Sequence, residues 1–347
     1  MAPAVFADDA KVLPAMFGRI TIAPNYSFIP GSFDSGGELV KWDKQWKETG
    51  ITNSFAKNPL KIFNLGFAFE FGIINFITAV LQWTPGWTPW SNISPAVNYE
   101  KANTNGLADI FFGAKIQILG DNARFQNEKI RLAVAPGILI PFSGADFNHE
   151  LKNKHTNYDA TLSQMDKHVF GLGGRFYFDY VISKNFFINL YNESLFYIGK
   201  GDLSKADATF AGVKASNSAF RNVKSEINYK YSLTFEIEPV FTYPLGGALS
   251  LFAGIPINYK YSPASEYSIS GLTKSYRAEF MDALADNRFN MKPEASHILS
   301  INPNISLYLT KFRMPLEFKL QYNIPVWGMN AQAKHTVMFQ FKLYFGL

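Results

Sequence analysis

From Val337 to Leu347 the chain alternates with a period of two. Val337, Phe339, Phe341, Leu343, Phe345 and Leu347 form one apolar row, against Met338, Gln340, Lys342, Tyr344 and Gly346. Such alternation marks a strand with one apolar face. A soluble edge strand that exposed this row would invite aggregation. A tilted strand of about 9–11 residues is long enough to cross a bilayer core. The reading is therefore a lipid-facing odd row and a lumen-facing even row, and eleven earlier segments repeat it. The first carries Gly18, Ile20, Ile22, Tyr26 and Phe28 on one face; the second, Leu60 to Phe71, carries Phe63, Leu65, Phe67, Phe69 and Phe71; the third runs from Phe76 to Trp83. Comparable rows are Ala108 to Ile118, Ile130 to Phe142, Phe170 to Tyr180, Phe186 to Ile198, Tyr229 to Tyr243, Leu249 to Tyr261, Leu299 to Leu309 and Met314 to Val326.

The connections alternate in length. Short ones are Gly72–Asn75, Gly120–Glu128, Ser183–Asn185, Pro244–Gly247 and Lys311–Arg313; between them lie Gly31–Asn58, Thr84–Asn105, Ser143–Asp166, Gly201–Ile227, Pro263–Glu294 and the briefer Gly328–Lys334. Short turns on one side and long loops on the other are the habit of outer-membrane barrels, which must close because lipid tolerates no open edge. The expected fold is thus all-β: a transmembrane antiparallel β-barrel of twelve strands, with fourteen as the alternative count and both termini periplasmic. Residues 16–347 form the barrel. Residues 1–15 are expected to be a signal remnant and a periplasmic segment, because Ala4-Val5-Phe6-Ala7 has the small residues of a cleavage site. A soluble β-sandwich with an aromatic core is the competing architecture, but it would not segregate loop lengths in this way.

Composition agrees with strands and bilayer interfaces. Aromatic residues make up 16% of the chain, with 33 Phe and 17 Tyr. No apolar run approaches the roughly 18 residues of a membrane helix. There is no cysteine, hence no disulfide framework or thiolate metal site. The formal charge of +5 comes from scattered basic residues, without the stripe that nucleic-acid binding requires.

The inward rows carry Arg19, Glu70, Asp109, Lys115, Arg131, Arg175, Asp179, Glu193, Lys230, Glu236, Glu238, Lys260, Glu317, Lys319 and Lys342. Eight basic against seven acidic groups make a charged but nearly balanced lumen, unlike the one-signed ring of an ion-selective pore. A tight turn at Lys184 sets Arg175 directly opposite Glu193 as a cross-strand pair. Pro24, Pro136, Pro239, Pro256, Pro303 and Pro325 fall inside strands and are expected at bulges or kinks, where a break in the wall would let an apolar ligand leave sideways. Trp42, Trp46, Trp83, Trp87 and Trp90 are expected in outer loops as an apolar capture surface, and Tyr276 to Leu284 as a short helix beside them. Catalysis is not expected. His168 falls opposite residue 200, about 20 Å from Ser194 at strand rise, and His149 and His155 lack metal-ligand spacing.

Three segments resemble the outer-membrane barrels of the phenol meta-pathway type, relatives of the long-chain fatty-acid transporters. They are Phe69-Glu70-Phe71-Gly72-Ile73 leading into Phe76-Ile77-Thr78; Gly106-Leu107-Ala108-Asp109 with Gly113-Ala114-Lys115; and Pro136-Gly137-Ile138-Leu139-Ile140-Pro141 followed by Gly144. The resemblance implies passive uptake of small hydrophobic or aromatic solutes across an outer membrane, with Asp109 and Lys115 as pathway or structural residues and no cofactor. With about fifteen residues before the first strand, a plug domain of the fatty-acid-transporter kind does not fit, and gating falls to loops and inward side chains. A pore for small polar solutes and a closed structural or adhesive surface barrel are the alternative functions. The expected partners are outer-membrane lipids, the solute, and the barrel-assembly machinery acting through the C-terminal strand.

Overall fold

The structure, a computed structural model, describes residues 9–41, 59–91, 106–141, 151–152, 159–160, 169–202, 218–220, 224–285 and 294–347. Among these, twelve wall strands follow one another in chain order: β1 (Phe17–Ile29), β2 (Leu60–Ile74), β3 (Ile77–Ser91), β4 (Ile110–Leu119), β5 (Ile130–Ile140), β6 (Phe170–Ser183), β7 (Phe186–Ile198) and β8 (Tyr231–Gly246). Next come β9 (Leu249–Gly254 continued by Ile257–Ser262), β10 (Ser296–Ile301 continued by Asn304–Leu309), β11 (Leu316–Met329) and β12 (His335–Gly346). Each strand pairs antiparallel with its predecessor, and β12 returns to β1 from Phe17↔Gly346 to Phe28↔His335. The sheet is closed, so no wall strand has a free edge. The first wall strand begins and the last one ends at the short-turn end, where Leu347 N donates to Met16 O.

The period-two pattern gives each strand its orientation. Burial along β1 alternates, with Arg19, Thr21, Ala23, Asn25 and Ser27 buried while Ile20 and Tyr26 are exposed on the outside. Outward Phe69, Phe112, Phe176, Phe235 and Phe339 are exposed in the same way, as a lipid-facing band requires. At the loop end the outward rings form a belt: Tyr231 stands 6.1 Å from Tyr261, Tyr261 4.9 Å from His297, and Phe28 stacks on His335 at 4.6 Å. Aromatic residues favour this level of a membrane protein.

Three expectations change. The third strand does not stop at Trp83 but runs to Ser91, because Trp83, Trp87 and Trp90 pair across to Phe67, Leu65 and Phe63 through two bulges. Two extra residues at the first bulge and one at the second keep the tryptophans on the outward face despite the broken alternation. The second change concerns the segment before β1. Expected as a periplasmic tail, residues 9–15 instead run into the lumen, with Asp9, Ala10, Val12 and Leu13 buried; the initial eight residues, including the expected cleavage site, lie outside the described ones. Third, β9 and β10 are each interrupted, at Ile255-Pro256 and Asn302-Pro303.

The interruptions belong to one feature. Pro239, Pro256 and Pro303 lie on adjacent strands at nearly one height, as the flanking pairs Val240↔Gly254 and Gly254↔Asn304 show. Each proline carbonyl still accepts a bond, from Ile255 N at 3.4 Å, Asn302 N at 2.8 Å and Tyr322 N at 3.0 Å. The reciprocal bond needs an amide hydrogen that proline lacks. The wall from β8 to β11 therefore loses one hydrogen bond at each of three successive pairs, forming a weakened line around the circumference. Pro325 sits beside a register shift between Leu299 and Ser300.

Outside the wall, Gly201–Asp202, Lys224–Asn228 and Glu266–Ser270 make a small sheet above the mouth. The expected short helix is present as α1 (Lys274–Ala285), anchored by buried Phe280.

Candidate functional site

The lumen is filled from its short-turn end by the strap of residues 9–15. Its backbone polar groups need partners once they leave water, and inward side chains of the wall supply them. Ala10 N donates to Asp179 Oδ1 at 2.9 Å, Gln117 Nε2 to Ala10 O at 3.0 Å and Lys115 Nζ to Asp9 O. Leu13 N donates to Thr78 Oγ1 at 2.9 Å and Ala15 N to Asn75 Oδ1 at 3.1 Å. Leu13 also enters an apolar cluster with Phe187, Val240, Phe252, Tyr308 and Tyr344, while Ala10 packs with Ala133, Ala135 and Tyr177. Burial pushes the Asp9 carboxyl up, against the opposing pull of Lys115, and pushes the Lys11 ammonium down. The strap thus docks by polar contacts on β3, β4, β6 and the turn between β2 and β3, and reaches across with one leucine to an apolar cluster from β7, β8, β9, β10 and β12.

The expected inward charges occupy three places. Near the short-turn end, Arg19 pairs with Glu70 and lies 5.8 Å over the ring of Tyr344. Glu317 there accepts from Lys342 Nζ at 2.9 Å, Ser306 Oγ at 2.8 Å and Tyr344 OH at 2.8 Å. Beside the strap, Lys115 stands 3.8 Å from Asp9 and 4.0 Å over the ring of Tyr177, and Arg131 reaches Asp121 at 3.0 Å and Asp179 at 3.8 Å. Higher up, the expected pair is present: Arg175 faces Glu193 in register and meets it at 2.7 Å, with a second bond to Gln82 at 2.6 Å. Asp109 and Lys319 are buried on the inner face. Glu236 accepts from Asn258 at 3.1 Å and Glu238 from two asparagines. Two of the fifteen are not enclosed. Lys230 precedes β8 and pairs with Glu266 of the outer sheet at 3.0 Å, and Lys260 is exposed near the mouth.

Three of the five tryptophans expected as a capture surface are among the described residues. Trp83, Trp87 and Trp90 lie on the outer wall, and Trp83 donates to Ala108 O at 2.8 Å while stacking 5.9 Å from Phe67. An outward strand position turns them toward lipid and away from the mouth. Trp42, Trp46, His149, His155 and His168 lie outside the described residues.

An apolar surface does exist, but inside the lumen. Val80 of β3, Phe111 of β4 and Leu195 of β7 form a buried cluster, with Leu139 and Tyr197 against it. Phe111 pairs directly with Leu139, and its ring is seated over Gly137, where a Cβ would collide with it. The guanidinium of Arg175 covers the other face at 3.8 Å from the ring centre. Reading the inward rows for charge alone passes over these residues; the signal was their apolar character at inward positions. Among the described residues no group of three or more His, Cys, Asp or Glu is placed to hold a metal ion.

No family model matches the chain, and no curated protein does. The structure is similar to an outer membrane channel from Pseudomonas putida F1, at 10% identity and a TM-score of 0.59, covering 98% of this chain and 100% of that one. A weaker likeness, with a TM-score of 0.39 and 9% identity over 100% of this chain and 94% of the other, links it to the P. putida toluene transporter TodX. At such identities the likeness shows the fold alone: a closed twelve-stranded barrel of the outer-membrane type.

Proposed function

We propose that the chain is an outer-membrane channel for passive passage of small hydrophobic or aromatic solutes. The observation that carries this reading is the apolar patch of Val80, Phe111, Leu139, Leu195 and Tyr197 on the inner wall. A water-filled pore has no use for such a surface, whereas small-molecule sites are concave and mostly apolar. Arg175 on the ring of Phe111 adds a polar edge that orients an aromatic guest. The strap acts as the stopper between this patch and the short-turn end. The likeness in fold to a protein described as an outer membrane channel supports the same reading.

The test is uptake of a labelled monoaromatic hydrocarbon by cells whose outer membrane contains the barrel, compared with cells lacking it. Phe111→Ser and Val80→Asn are expected to lower uptake at equal barrel abundance. Equal uptake in cells with and without the barrel would sink the proposal. A second reading, passage of small polar solutes, is favoured by the opposite wall, where Glu236, Glu238, Asn189, Asn258 and Asn304 form a hydrogen-bonded polar surface. Swelling of vesicles in small sugars without hydrocarbon uptake would select it.

The C-terminal strand is proposed as the signal for the barrel-assembly machinery. Phe345 faces outward against Gly18, while Tyr344 points into the lumen, so the outward row carries the recognition. Removal of Phe345 to Leu347 is expected to block assembly.

A further inference from the structure

Glu238 differs from three other glutamates of the lumen. Glu70, Glu193 and Glu317 each meet a guanidinium or ammonium group. Glu238, only 2% exposed, is held by two carboxamides, Asn189 Nδ2 at 3.1 Å and Asn304 Nδ2 at 2.9 Å. Among the described residues no cation pairs with it. Two further oxygens nearby also have no donor: Asn189 Oδ1 and Asn302 Oδ1 are buried without a hydrogen-bond partner, in residues 1% and 6% exposed.

The register brings these oxygens around one notch. Asn189 is the direct neighbour of Glu238 across β7 and β8, and Gly254 of β9 pairs with Asn304 of β10. Gly254 leaves the space that the carboxylate uses: a Cβ there would collide with Glu238 Oε1 and stand 3.1 Å from Asn304 Nδ2. Pro256, the next inward residue of β9, has only a short ring, and its carbonyl accepts from Asn302 N. With strands about 4.8 Å apart, the backbones of β8 and β10 flank this floor at roughly 10 Å. The notch is thus lined by a carboxylate, the two carboxamide nitrogens that donate to it, and the acceptor oxygens of Asn189 and Asn302 that have no donor. A buried carboxylate without a countercharge and acceptors without donors are each costly, and one bound cation relieves both.

We propose that this notch binds a cation, either an inorganic ion or the protonated amine of a solute, with Glu238 as countercharge and Asn189 and Asn302 as oxygen ligands. The site is independent of apolar transport, since it lies on the inner wall of β7 to β10 and shares no residue with the apolar patch. Hard cations take oxygen ligands of this kind, and an ammonium offers them hydrogen-bond donors.

The experiment is thermal unfolding of the full chain in nonionic detergent, at ionic strength held constant with tetraethylammonium chloride, which is bulky and has no N–H. Calcium or sodium chloride is titrated in one arm and butylammonium chloride in the other. A saturable rise of the midpoint is expected in one arm: in the first it identifies an inorganic ion, in the second an amine. Glu238→Gln, which keeps the side-chain volume, is expected to weaken the apparent affinity roughly tenfold or more, as loss of a charged hydrogen-bond partner does. Asn302→Ala leaves both bonds to Glu238 in place, so it carries the test if the glutamine variant does not assemble, and it too is expected to weaken binding. Absence of a saturable rise in both arms overturns the proposal. So does a rise that is unchanged in both variants.

Discussion

The two sides of the lumen solve the problem of buried polarity differently. From β2 to β7, charges are matched pairwise, as in Arg175 with Glu193 or Arg19 of β1 with Glu70, and the strap adds its own hydrogen bonds to wall side chains. From β8 to β11, prolines remove wall hydrogen bonds at successive pairs; on β8 to β10 the inner face relies on asparagines around a carboxylate without a cation, and a matched pair returns only with Glu317 of β11 and Lys342 of β12. The first side is over-connected and resists local change. The second is held by fewer bonds at one height, so bending of the wall is cheapest there. Closure makes the contrast tolerable: every strand keeps two neighbours, and a weak line across four of them cannot become an edge.

The largest effect should come from breaking a pair on the first side. Arg175→Ala strands Glu193 in the lumen and is expected to cost about 3–5 kcal/mol, measured by guanidinium unfolding of the barrel in vesicles. The double variant with Glu193→Gln should recover part of that loss, and a purely additive result would mean that the two charges do not act as a unit. Next in size is the stopper. Leu13→Ala removes a side chain from the cluster around Phe187 and Phe252 and should weaken strap docking by roughly 2–5 kcal/mol. Conductance in planar bilayers is expected to rise with it, and an unchanged conductance would show that the strap does not obstruct the route. On the second side, Pro303→Ala restores one N–H opposite Tyr322 and should stabilise the barrel by about 0.5–1.5 kcal/mol; if it destabilises instead, the proline line is not a deficit in the wall. The smallest effect is expected at the outer tryptophans. Trp87→Ala should leave hydrocarbon uptake within error of the parent, because its side chain faces outward. A clear loss would restore a role in capture.

Much of this was legible along the chain because a strand transmits its environment with a period of two. Phe339 and Phe341 had to share a face, and a three-residue turn made Arg175 and Glu193 neighbours in any folded hairpin. The failures have equally local causes. Trp87 and Trp90 were expected in a loop because bulges shift the alternation, and a shifted alternation reads as irregular chain. The strap was expected outside the barrel because Asp9 and Lys11 look like solvated residues; Lys115, Gln117 and Asp179, which receive Asp9 and Ala10 in the lumen, lie on distant strands. The apolar patch escaped notice because its members come from β3, β4, β5 and β7, and no segment contains more than two of them.

By itself the sequence determined the alternation, the twelve wall strands, the placement of turns and loops, and the division of each strand into lipid and lumen faces, because these follow from local periodicity and from the ban on unpaired backbone in a bilayer. Tertiary structure alone decided what the lumen holds. Whether an inward residue meets a countercharge, a ring, the strap or an open notch depends on the strand that closure places beside or across from it. Neighbours such as Glu238 and Asn304 are set by the register of three strands together, and no single stretch of chain encodes that.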